Sequence, residues 1–508
     1  MRRALLVLAI GTLLPIVLIL RLPTLFFASY GRSEAWGNDE GLYLLMARDF
    51  LQGHLPYTQT FDNKPPGIYV VYALSWLLLG AGPRSIYIAA CISIWCGSVA
   101  MFFLVRGASG GRKDMGLVAA VAFALFMCHS GTMGANTECF FVPIVVAAFA
   151  LLWPQRPHDE RTFRYAQIVA AGLLLGLAVC IKYVAAFDLF AALVVIGATY
   201  PLRQRAVTCL ALVVSAASPA MGVLWTYASA RELEVLYDAQ IRGNLARLAL
   251  QDSLSTNLAL VKEQFVRLFP IVELTLVSPL YLRFSPPADG ALRRALWLGL
   301  IWFAIDVAGI SRIGSIRQHI LAQLLPPMIV CATIVLLRGI ELTEARFARL
   351  RSPALLATAL ALVCIGVLAA PVRFLAATVP GIARGSEDDH ASVRAGYLRE
   401  HVRPNDYVLL VDPWSGMEHV LSGTRSPSKY GGFSEFFTDK EMNVIAGIRR
   451  DTALTSAFEH EPKMVVIDPD VYDDSSFVRA LESDMSGKYS GPSQYDGAYV
   501  YLRDGSDS

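Results

Sequence analysis

The chain has 508 residues, of which 55% are hydrophobic and 17% are charged, and its mean hydropathy is +0.47. These values exclude a soluble globular domain of ordinary composition and place most of the chain in lipid. The net charge of +2 says little by itself, because Lys and Arg act in a membrane protein through the loops that hold them. The eight cysteines show neither a CxxC pair nor a Cys/His spacing typical of a metal site.

Apolar runs of roughly 15 to 22 residues recur along the chain and lack a solvent-facing polar stripe, which predicts membrane-spanning helices. Met1-Arg2-Arg3 and the apolar stretch after it are interpreted as a retained first span, because no clear small-x-small cleavage site follows. If residues 65–82 crossed the membrane, Arg106, Arg112 and Lys113 would lie outside, against the positive-inside rule. Residues 65–82 are therefore predicted to form a helix on the outer surface. About eleven spans result, at residues 4–27, 85–105, 115–134, 138–153, 166–181, 184–200, 206–226, 269–284, 295–310, 320–337 and 353–372.

This scheme gives each longer inner loop a cluster of basic residues, which is the bias that the positive-inside rule expects. The inner clusters are Arg106/Arg112/Lys113, Arg156/Arg161/Arg164, Arg203/Arg205, Arg293/Arg294 and Arg338/Arg347/Arg349/Arg351. The N-terminus is then cytoplasmic and the C-terminus external. Three long external segments result, at residues 28–84, 227–268 and 380–508, and the chemistry is expected there.

The composition of the chain changes after Pro380, where it becomes polar. Two short apolar strands, at residues 407–411 and 464–467, each lead into an Asp-Pro pair and alternate with helical stretches. This pattern predicts a small α/β domain. The predicted domains are therefore residues 1–378 for the membrane part and 379–508 for an external tail, which we expect to help hold or select an acceptor.

The densest polar cluster lies in the first external segment. Asp39 and Glu40 open a stretch whose apolar residues recur at helical spacing. Such an acidic first turn often does no more than complement the helix dipole, but a carboxylate pair on an amphipathic helix at the membrane surface also fits catalysis. Lys64 follows in Asp62-Asn63-Lys64-Pro65-Pro66-Gly67, where it can snorkel to lipid headgroups or bind a ligand.

These segments resemble the first external loop of the GT-C glycosyltransferases. The shared pattern is Asp39-Glu40-Gly-Leu-Tyr, then Gly53-x-x-Pro56-Tyr57, then the segment from Asp62 to Gly67. The nearest branch looks like the protein O-mannosyltransferases, aminoarabinose transferases and galacturonosyltransferase-like enzymes. Three later segments are similar to that group: Ser311-Arg312 to Arg317-Gln318-His319 with Gln323-Leu-Leu-Pro326-Pro327, Tyr397-Leu398-Arg399-Glu400, and Leu421-Ser422-Gly423. The resemblance implies a polytopic α-helical membrane protein with the GT-C fold, whose large first external loop contains amphipathic helices.

The resemblance also implies roles for particular residues. Asp39 is the carried-over general base, Glu40 is its neighbour, and Glu138 stands where many relatives have a second external aspartate. Tyr43, Tyr57 and Asp62 are assigned to the acceptor or to the loop itself. Basic residues at predicted outer positions are the candidates for binding the donor phosphate, with headgroup contacts, snorkelling or an ordinary interface position as alternatives. These candidates are Lys64, Lys182, Arg312, Arg317 and His319.

Sugar transfer from a phosphate to a hydroxyl needs a base for the acceptor proton and cations for the departing phosphate. The predicted reaction is an inverting transfer from a polyprenyl-phosphate donor to a glycan, lipid or protein acceptor of the cell envelope. It is expected on the outer face of the bacterial cytoplasmic membrane, with membrane lipids as further partners and no nucleic acid. No cofactor is predicted, and a divalent metal ion is compatible with the sequence but not indicated by it.

Two other functions stay open at this point. Asp188, Glu273 and Asp306 lie within or near apolar runs, and intramembrane carboxylates often mark ion pathways of secondary transporters. No inverted repeat is visible, however, and a transporter does not account for the acidic helix and the Lys-Pro-Pro segment of the first loop. The other alternative is a non-catalytic envelope-assembly protein, which would tolerate the loss of Asp39.

Overall fold

Within the residues that it describes, the computed structural model is helical except for one small sheet in the tail. It describes residues 11–26, 38–128, 132–153, 161–249, 262, 268–284, 286–287, 289–311, 318–346, 376, 389–412, 414–432, 440–468 and 475–505. The chain divides into two compact units. Unit 1 comprises Met1–Leu22, Ala90–Val223 and Asp252–Ala377, and unit 2 comprises Pro23–Ala89, Leu224–Gln251 and Thr378–Ser508. The tail therefore groups with the first external loop and with part of the second.

The helices are numbered here in chain order. They are α1 (Leu13–Leu20), α2 (Leu22–Phe26), α3 (Asn38–Leu51), α4 (Gly67–Leu79), α5 (Pro83–Ala108), α6 (Lys113–Phe126), α7 (Glu138–Leu152), α8 (Arg161–Ile181), α9 (Ala185–Thr199), α10 (Leu202–Ala230), α11 (Leu233–Tyr237), α12 (Gly243–Ala249), α13 (Ile271–Phe284), α14 (Gly290–Ile310), α15 (Leu325–Arg346), α16 (His390–His401), α17 (Ser415–Ser422), α18 (Lys440–Ala446), α19 (Arg450–Glu459) and α20 (Ser475–Met485). A π-helical turn covers Asp238–Arg242, and a 3₁₀ helix covers Gln318–Leu324.

The helices of the structure agree in part with the predicted spans. All of these spans, except residues 353–372, fall at least in part on a helix, and 353–372 lies outside the described residues. Three helices of the described part are long and apolar enough to cross a membrane: Pro83–Ala108, Leu202–Ala230 and His319–Gly339. Shorter apolar helices lie at Gly67–Leu79, Glu138–Leu152, Tyr165–Ile181 and Ala185–Thr199. The membrane class is supported by these helices, whereas the count of eleven stays a prediction.

The helices of unit 1 pack closely through small residues. α7 lies along α8, and both α13 and α14 pack on α15. A Cβ atom placed on Gly172 of α8 would lie 2.6 Å from the Leu212 carbonyl oxygen. One placed on Gly176 would lie 2.1 Å from the Ala216 carbonyl oxygen. Only glycine permits this approach, which is the packing mode expected where lipid removes the hydrophobic drive between helices.

The tail contains the small α/β domain predicted from its two apolar strands. Its sheet has the order β1-β2-β4-β3, with β1 (Val408–Val411) parallel to β2 (Met464–Ile467). β4 (Ala498–Arg503) pairs antiparallel with both β2 and β3 (Tyr489–Tyr495). Alternate residues of β1 and β2 face two separate cores, as the pleat of a sheet requires. One core contains Leu409, Val411, Val465, Ile467, Leu454 and Leu481, and the other contains Val408, Leu410, Met464, Val466, Val500 and Leu398.

Candidate active site

The first and last parts of the predicted first-loop motif meet within unit 2. Asp39 and Glu40 occupy the first turn of α3, where negative charge is favoured by the helix dipole. The Lys64 ammonium nitrogen lies 3.4 Å from Oδ1 of Asp39 and 3.4 Å from Oδ1 of Asp62. Asp39, Asp62 and Lys64 therefore form an ionic cluster, although Asp39 and Lys64 are 25 positions apart in the sequence.

Exposure distinguishes the carboxylates of this region. The Asp39 side chain is 25% exposed, whereas that of Asp62 is 1% exposed and Glu40 is buried. Asp62 is held in place because its Oδ1 accepts from the Asn63 backbone N–H at 2.6 Å and its Oδ2 accepts from the Tyr69 hydroxyl at 2.9 Å. Asp39 is thus the carboxylate that a substrate reaches most easily.

The charges of the cluster support one another. Burial lowers the pKa of Lys64, but the carboxylates of Asp39 and Asp62 outweigh this effect, and also that of Arg247, so the pKa is raised overall. Burial and the charge of Asp62 together hold the pKa of Tyr69 well above its ordinary value. At neutral pH, Lys64 is therefore a cation and the Tyr69 hydroxyl remains a donor.

The backbone around Lys64 is fixed by side chains from two external segments. The Lys64 carbonyl oxygen accepts from the Tyr57 hydroxyl at 2.6 Å, from the Tyr69 hydroxyl at 3.3 Å and from Gln240 Nε2 at 2.9 Å. Gln240 belongs to the π-helical turn Asp238–Arg242, and such turns are common at functional sites. The second external segment therefore helps to shape the first, which the sequence did not reveal.

Two tyrosines of the motif are buried within the loop. Tyr57 has a φ of 71°, a left-handed conformation that is costly for an aromatic residue, and its ring centroid lies 6.2 Å from that of Tyr227. The Tyr43 ring packs edge-on against Tyr69 at 6.0 Å and Tyr72 at 5.5 Å. Both rings serve the packing of the loop in this structure, and a role in acceptor binding stays a prediction.

A second group of candidate residues meets within unit 1. Glu138 begins α7 and is buried, and its carboxylate pairs with the Lys182 ammonium group while also accepting from the Thr137 hydroxyl at 2.8 Å. His319, in the 3₁₀ helix, interacts electrostatically with Glu138. Three predicted residues from well-separated parts of the chain are thus brought together. Arg312 and Arg317, the remaining phosphate candidates, lie outside the described residues.

Arg21 is a functional candidate that the sequence reasoning missed. It is buried, and its guanidinium donates to the carbonyl oxygens of Thr132 at 2.5 Å, Met133 at 2.6 Å and Gly134 at 2.8 Å. These carbonyls belong to the segment that leads into Glu138. An arginine inside the first apolar run was the available signal, because a cation within a span needs partners.

The carboxylates within apolar runs differ in their surroundings. Asp188 is fully hydrogen-bonded, since Trp302 Nε1 and Gln323 Nε2 donate to it at 2.8 Å and 2.9 Å. Glu273 lies in the first turn of α13, and Asp306 is buried with neither oxygen accepting a hydrogen bond from the described part of the chain. Within the described ranges, no three His, Cys, Asp or Glu side chains are grouped so as to hold a metal ion.

The chain is similar to known proteins in part of its sequence and in its fold. Residues 63–225 match the model of a family described as dolichyl-phosphate-mannose-protein mannosyltransferase. The comparison with curated proteins gave no match. The matched segment includes Lys64, Glu138 and Lys182, whereas Asp39 lies before it.

Three solved structures are similar over nearly all of this chain. ArnT from Cupriavidus metallidurans, bound to undecaprenyl phosphate, has a TM-score of 0.67 at 16% identity, and the match covers 98% of each chain. The archaeal oligosaccharyltransferase AglB from Archaeoglobus fulgidus, in complex with an inhibitory peptide and a dolichol-phosphate, has a TM-score of 0.52 at 15% identity, covering 100% of this chain and 75% of AglB. Arabinofuranosyltransferase AftD from Mycobacteria has a TM-score of 0.50 at 15% identity, covering 99% of this chain and 40% of AftD.

These proteins are glycosyltransferases of the GT-C superfamily. The chain therefore has the GT-C fold, which confirms the resemblance predicted from the first external loop.

Proposed function

We propose that this chain is an integral-membrane glycosyltransferase that moves a monosaccharide from a polyprenyl-phosphate donor to an acceptor in the cell envelope. The carrying observation is that a chain with the GT-C fold presents a partly exposed carboxylate, Asp39, held beside Lys64 in its first external loop. The lipid phosphate bound by ArnT supports a carrier of the same chemical class here. The acceptor is a glycan, a lipid or a protein.

The proposed location is the bacterial cytoplasmic membrane, with about eleven spans, the N-terminus inside and the tail outside. Two features support this arrangement. Apolar helices fall on the proposed spans, and clusters of basic residues lie in the short loops assigned to the cytoplasm. The first loop and the tail would then both face the side on which a lipid-carried sugar and an envelope acceptor are available.

Asp39 acts in this proposal as the general base of an inverting transfer. The acceptor hydroxyl gives its proton to the Asp39 carboxylate while its oxygen bonds to the anomeric carbon. The bond from that carbon to the phosphate oxygen breaks on the opposite face, and its electron pair leaves with the phosphate. Lys64 keeps Asp39 ionised and oriented, at the cost of some basicity.

Cationic side chains stabilise the phosphate that departs. The proposed groups are Lys64, Lys182, Arg312, Arg317 and His319. Lys182 is paired with Glu138, and we assign to Glu138 the task of orienting that ammonium group. Each charge-assisted contact to phosphate is worth roughly 1.5 to 3 kcal/mol, so removing one should weaken donor binding more than acceptor binding.

The test replaces Asp39 by Asn in the purified full-length chain. The product is first identified by mass spectrometry of envelope glycans from cells with and without the gene, and turnover is then followed by release of polyprenyl phosphate. Asp39→Asn should fold normally and lose about 100-fold or more in rate, because it keeps the size of the side chain but removes the base. Glu234→Gln, which changes an exposed carboxylate in the first turn of another external helix, should leave the rate unchanged. Near wild-type transfer by Asp39→Asn, or a product that retains the donor's anomeric configuration, would overturn the proposal.

A further inference from the structure

The helix that carries Asp39 touches the tail backbone to backbone. A Cβ atom on Gly41 of α3 would lie 2.6 Å from the Met417 backbone nitrogen. A Cβ atom on Gly416 of α17 would lie 2.7 Å from the Gly41 carbonyl carbon and 2.7 Å from the Leu42 nitrogen. Because these neighbours are backbone atoms, they cannot move aside as a flexible side chain would. Each glycine therefore lets α3 and α17 come closer than any other residue would allow.

Two turns later, the same face of α3 forms hydrogen bonds with the tail. The Arg48 guanidinium donates to the carbonyl oxygens of His419 at 2.8 Å and Thr424 at 3.1 Å. His419 lies in the last turn of α17, so Arg48 places its charge at the negative end of that helix dipole. Gly41 and Arg48 are seven positions apart, which puts them on one side of α3.

The loop beyond α3 is also joined to the tail. The Phe61 backbone N–H donates to the Lys429 carbonyl oxygen at 2.7 Å, and the Phe61 ring lies 5.5 Å from that of Tyr430. Phe61 directly precedes Asp62, one of the two carboxylates that pair with Lys64. Asp39 and Lys64, the two partners of the ion pair, thus both belong to segments that contact the tail.

We propose that Gly41, Gly416 and Arg48 are positioning residues through which the tail sets the Asp39 carboxylate against Lys64. The tail is then part of the machinery that orients the general base, beyond any part that it plays in holding the acceptor. This inference rests on the proposed role of Asp39. A misplacement of about 1 Å at a reacting group can cost on the order of 100-fold in rate, so an added methyl group at the helix crossing is a sufficient perturbation.

The first measurement does not depend on the substrate. The chain has eight lysines, so reductive methylation with ¹³C-formaldehyde gives few resonances, and that of Lys64 is assigned by its loss in Lys64→Arg. Asp39 and Asp62 raise the pKa of Lys64, whereas burial and Arg247 lower it. In Gly416→Ala or Gly41→Ala, a displaced Asp39 should let Lys64 titrate at lower pH than in the parent chain. Gly396→Ala is the matched control, because its Cβ atom would meet only Arg399 Nη2, at an ordinary 3.8 Å.

The second measurement uses turnover. Gly416→Ala and Gly41→Ala should lower kcat at least 10-fold while KM for donor and acceptor changes less than threefold, and Gly396→Ala should change neither. If the crossing variants do not fold, Arg48→Met is used, since it leaves the glycine contact in place and removes the two hydrogen bonds to the tail together with a 3.8 Å ion pair to Asp49. An unchanged Lys64 titration together with unchanged kcat would overturn the positioning role. If Asp39→Asn abolishes transfer in the same assay, that result would leave the proposed function standing.

Discussion

The ion pairs of Lys64 allow a quantitative prediction for the substitution Lys64→Met. Breaking a fully buried ion pair typically costs 3 to 5 kcal/mol, because the remaining charge is left without a partner. Here the Lys64 side chain is 20% exposed and the Asp39 side chain 25% exposed, so water compensates part of the loss. Asp62 is less exposed, but it keeps its hydrogen bonds from Asn63 and Tyr69. We therefore expect Lys64→Met to lower the free energy of unfolding by about 2 kcal/mol.

The pH dependence of this difference follows from the direction of the pKa shift. The pKa of Lys64 is raised in the folded chain, whereas an unfolded lysine titrates near pH 10.4. A raised pKa contributes stability that is fully present below the unfolded pKa and is lost as pH rises through the folded one. The difference in the free energy of unfolding between the parent chain and Lys64→Met should thus be constant from pH 7 to about pH 9 and should become smaller above about pH 10.

This difference in the free energy of unfolding is measured by unfolding both chains with increasing dodecyl sulfate and following their tryptophan fluorescence. Lys429→Met is the control, because Lys429 is exposed and its ammonium nitrogen lies 5.2 Å from the Tyr430 ring centroid, a contact worth roughly 0.5 to 1 kcal/mol. If Lys64→Met is no less stable than this control, or if the difference does not change at high pH, the two ion pairs do not hold the loop as the structure indicates.

Further predictions concern other parts of the chain. Replacing Lys182 alone by Met should destabilise unit 1 by about 3 to 5 kcal/mol, and adding Glu138→Gln should recover most of this loss; a double variant no better than the single one would contradict the buried pair. Burial, followed by the charge of Arg48, lowers the pKa of His419 to about 3, so stability is present above about pH 6.5 and falls as pH drops toward 3. His419→Gln should therefore lose less melting temperature between pH 7 and pH 4 than the parent chain, and equal losses would refute the buried neutral state. Alkaline phosphatase fused after Gly82 and after Ser508 should be active in both fusions; a cytoplasmic signal at Ser508 would reverse the proposed orientation.

Local patterns in the sequence predicted the elements of the site but not their partners. The acidic first turn of α3 and the Lys-Pro-Pro segment were recognised from a few neighbouring residues each. The contacts of Lys64 with Asp39 and Gln240 required the fold, since these residues are 25 and 176 positions away. Helix periodicity also does not show whether an aromatic residue such as Tyr43 faces a substrate or a core.

In the tail, too, the sequence predicted the elements but not the contacts between them. Both apolar strands were correctly predicted, and an aspartate was seen to end each of them. The structure explains these aspartates: β1 and β2 are adjacent and parallel, so Asp412 and Asp468 come to the same edge of the sheet, 3.4 Å and 3.3 Å from the buried Arg394 guanidinium. Nothing near Arg394 in the sequence indicates this pairing, because a single arginine in a polar helix is ordinarily a surface residue.

Gly41 of α3 shows why the role of a helical glycine is hard to predict from sequence. Within a helix, glycine costs about 1 kcal/mol relative to alanine, so in the sequence Gly41, two positions after the proposed base Asp39, indicates only a loss of helix propensity. That loss is offset where a close helix contact requires the absence of a side chain. The contact between Gly41 and Gly416 is of this kind. The first turn of α3 presents Asp39 to Lys64, while the side that bears Gly41 and Arg48 is held by the tail. One helix therefore connects the chemistry proposed for the first loop to a domain more than 300 residues later in the chain, which is why the tail cannot be treated as an independent module.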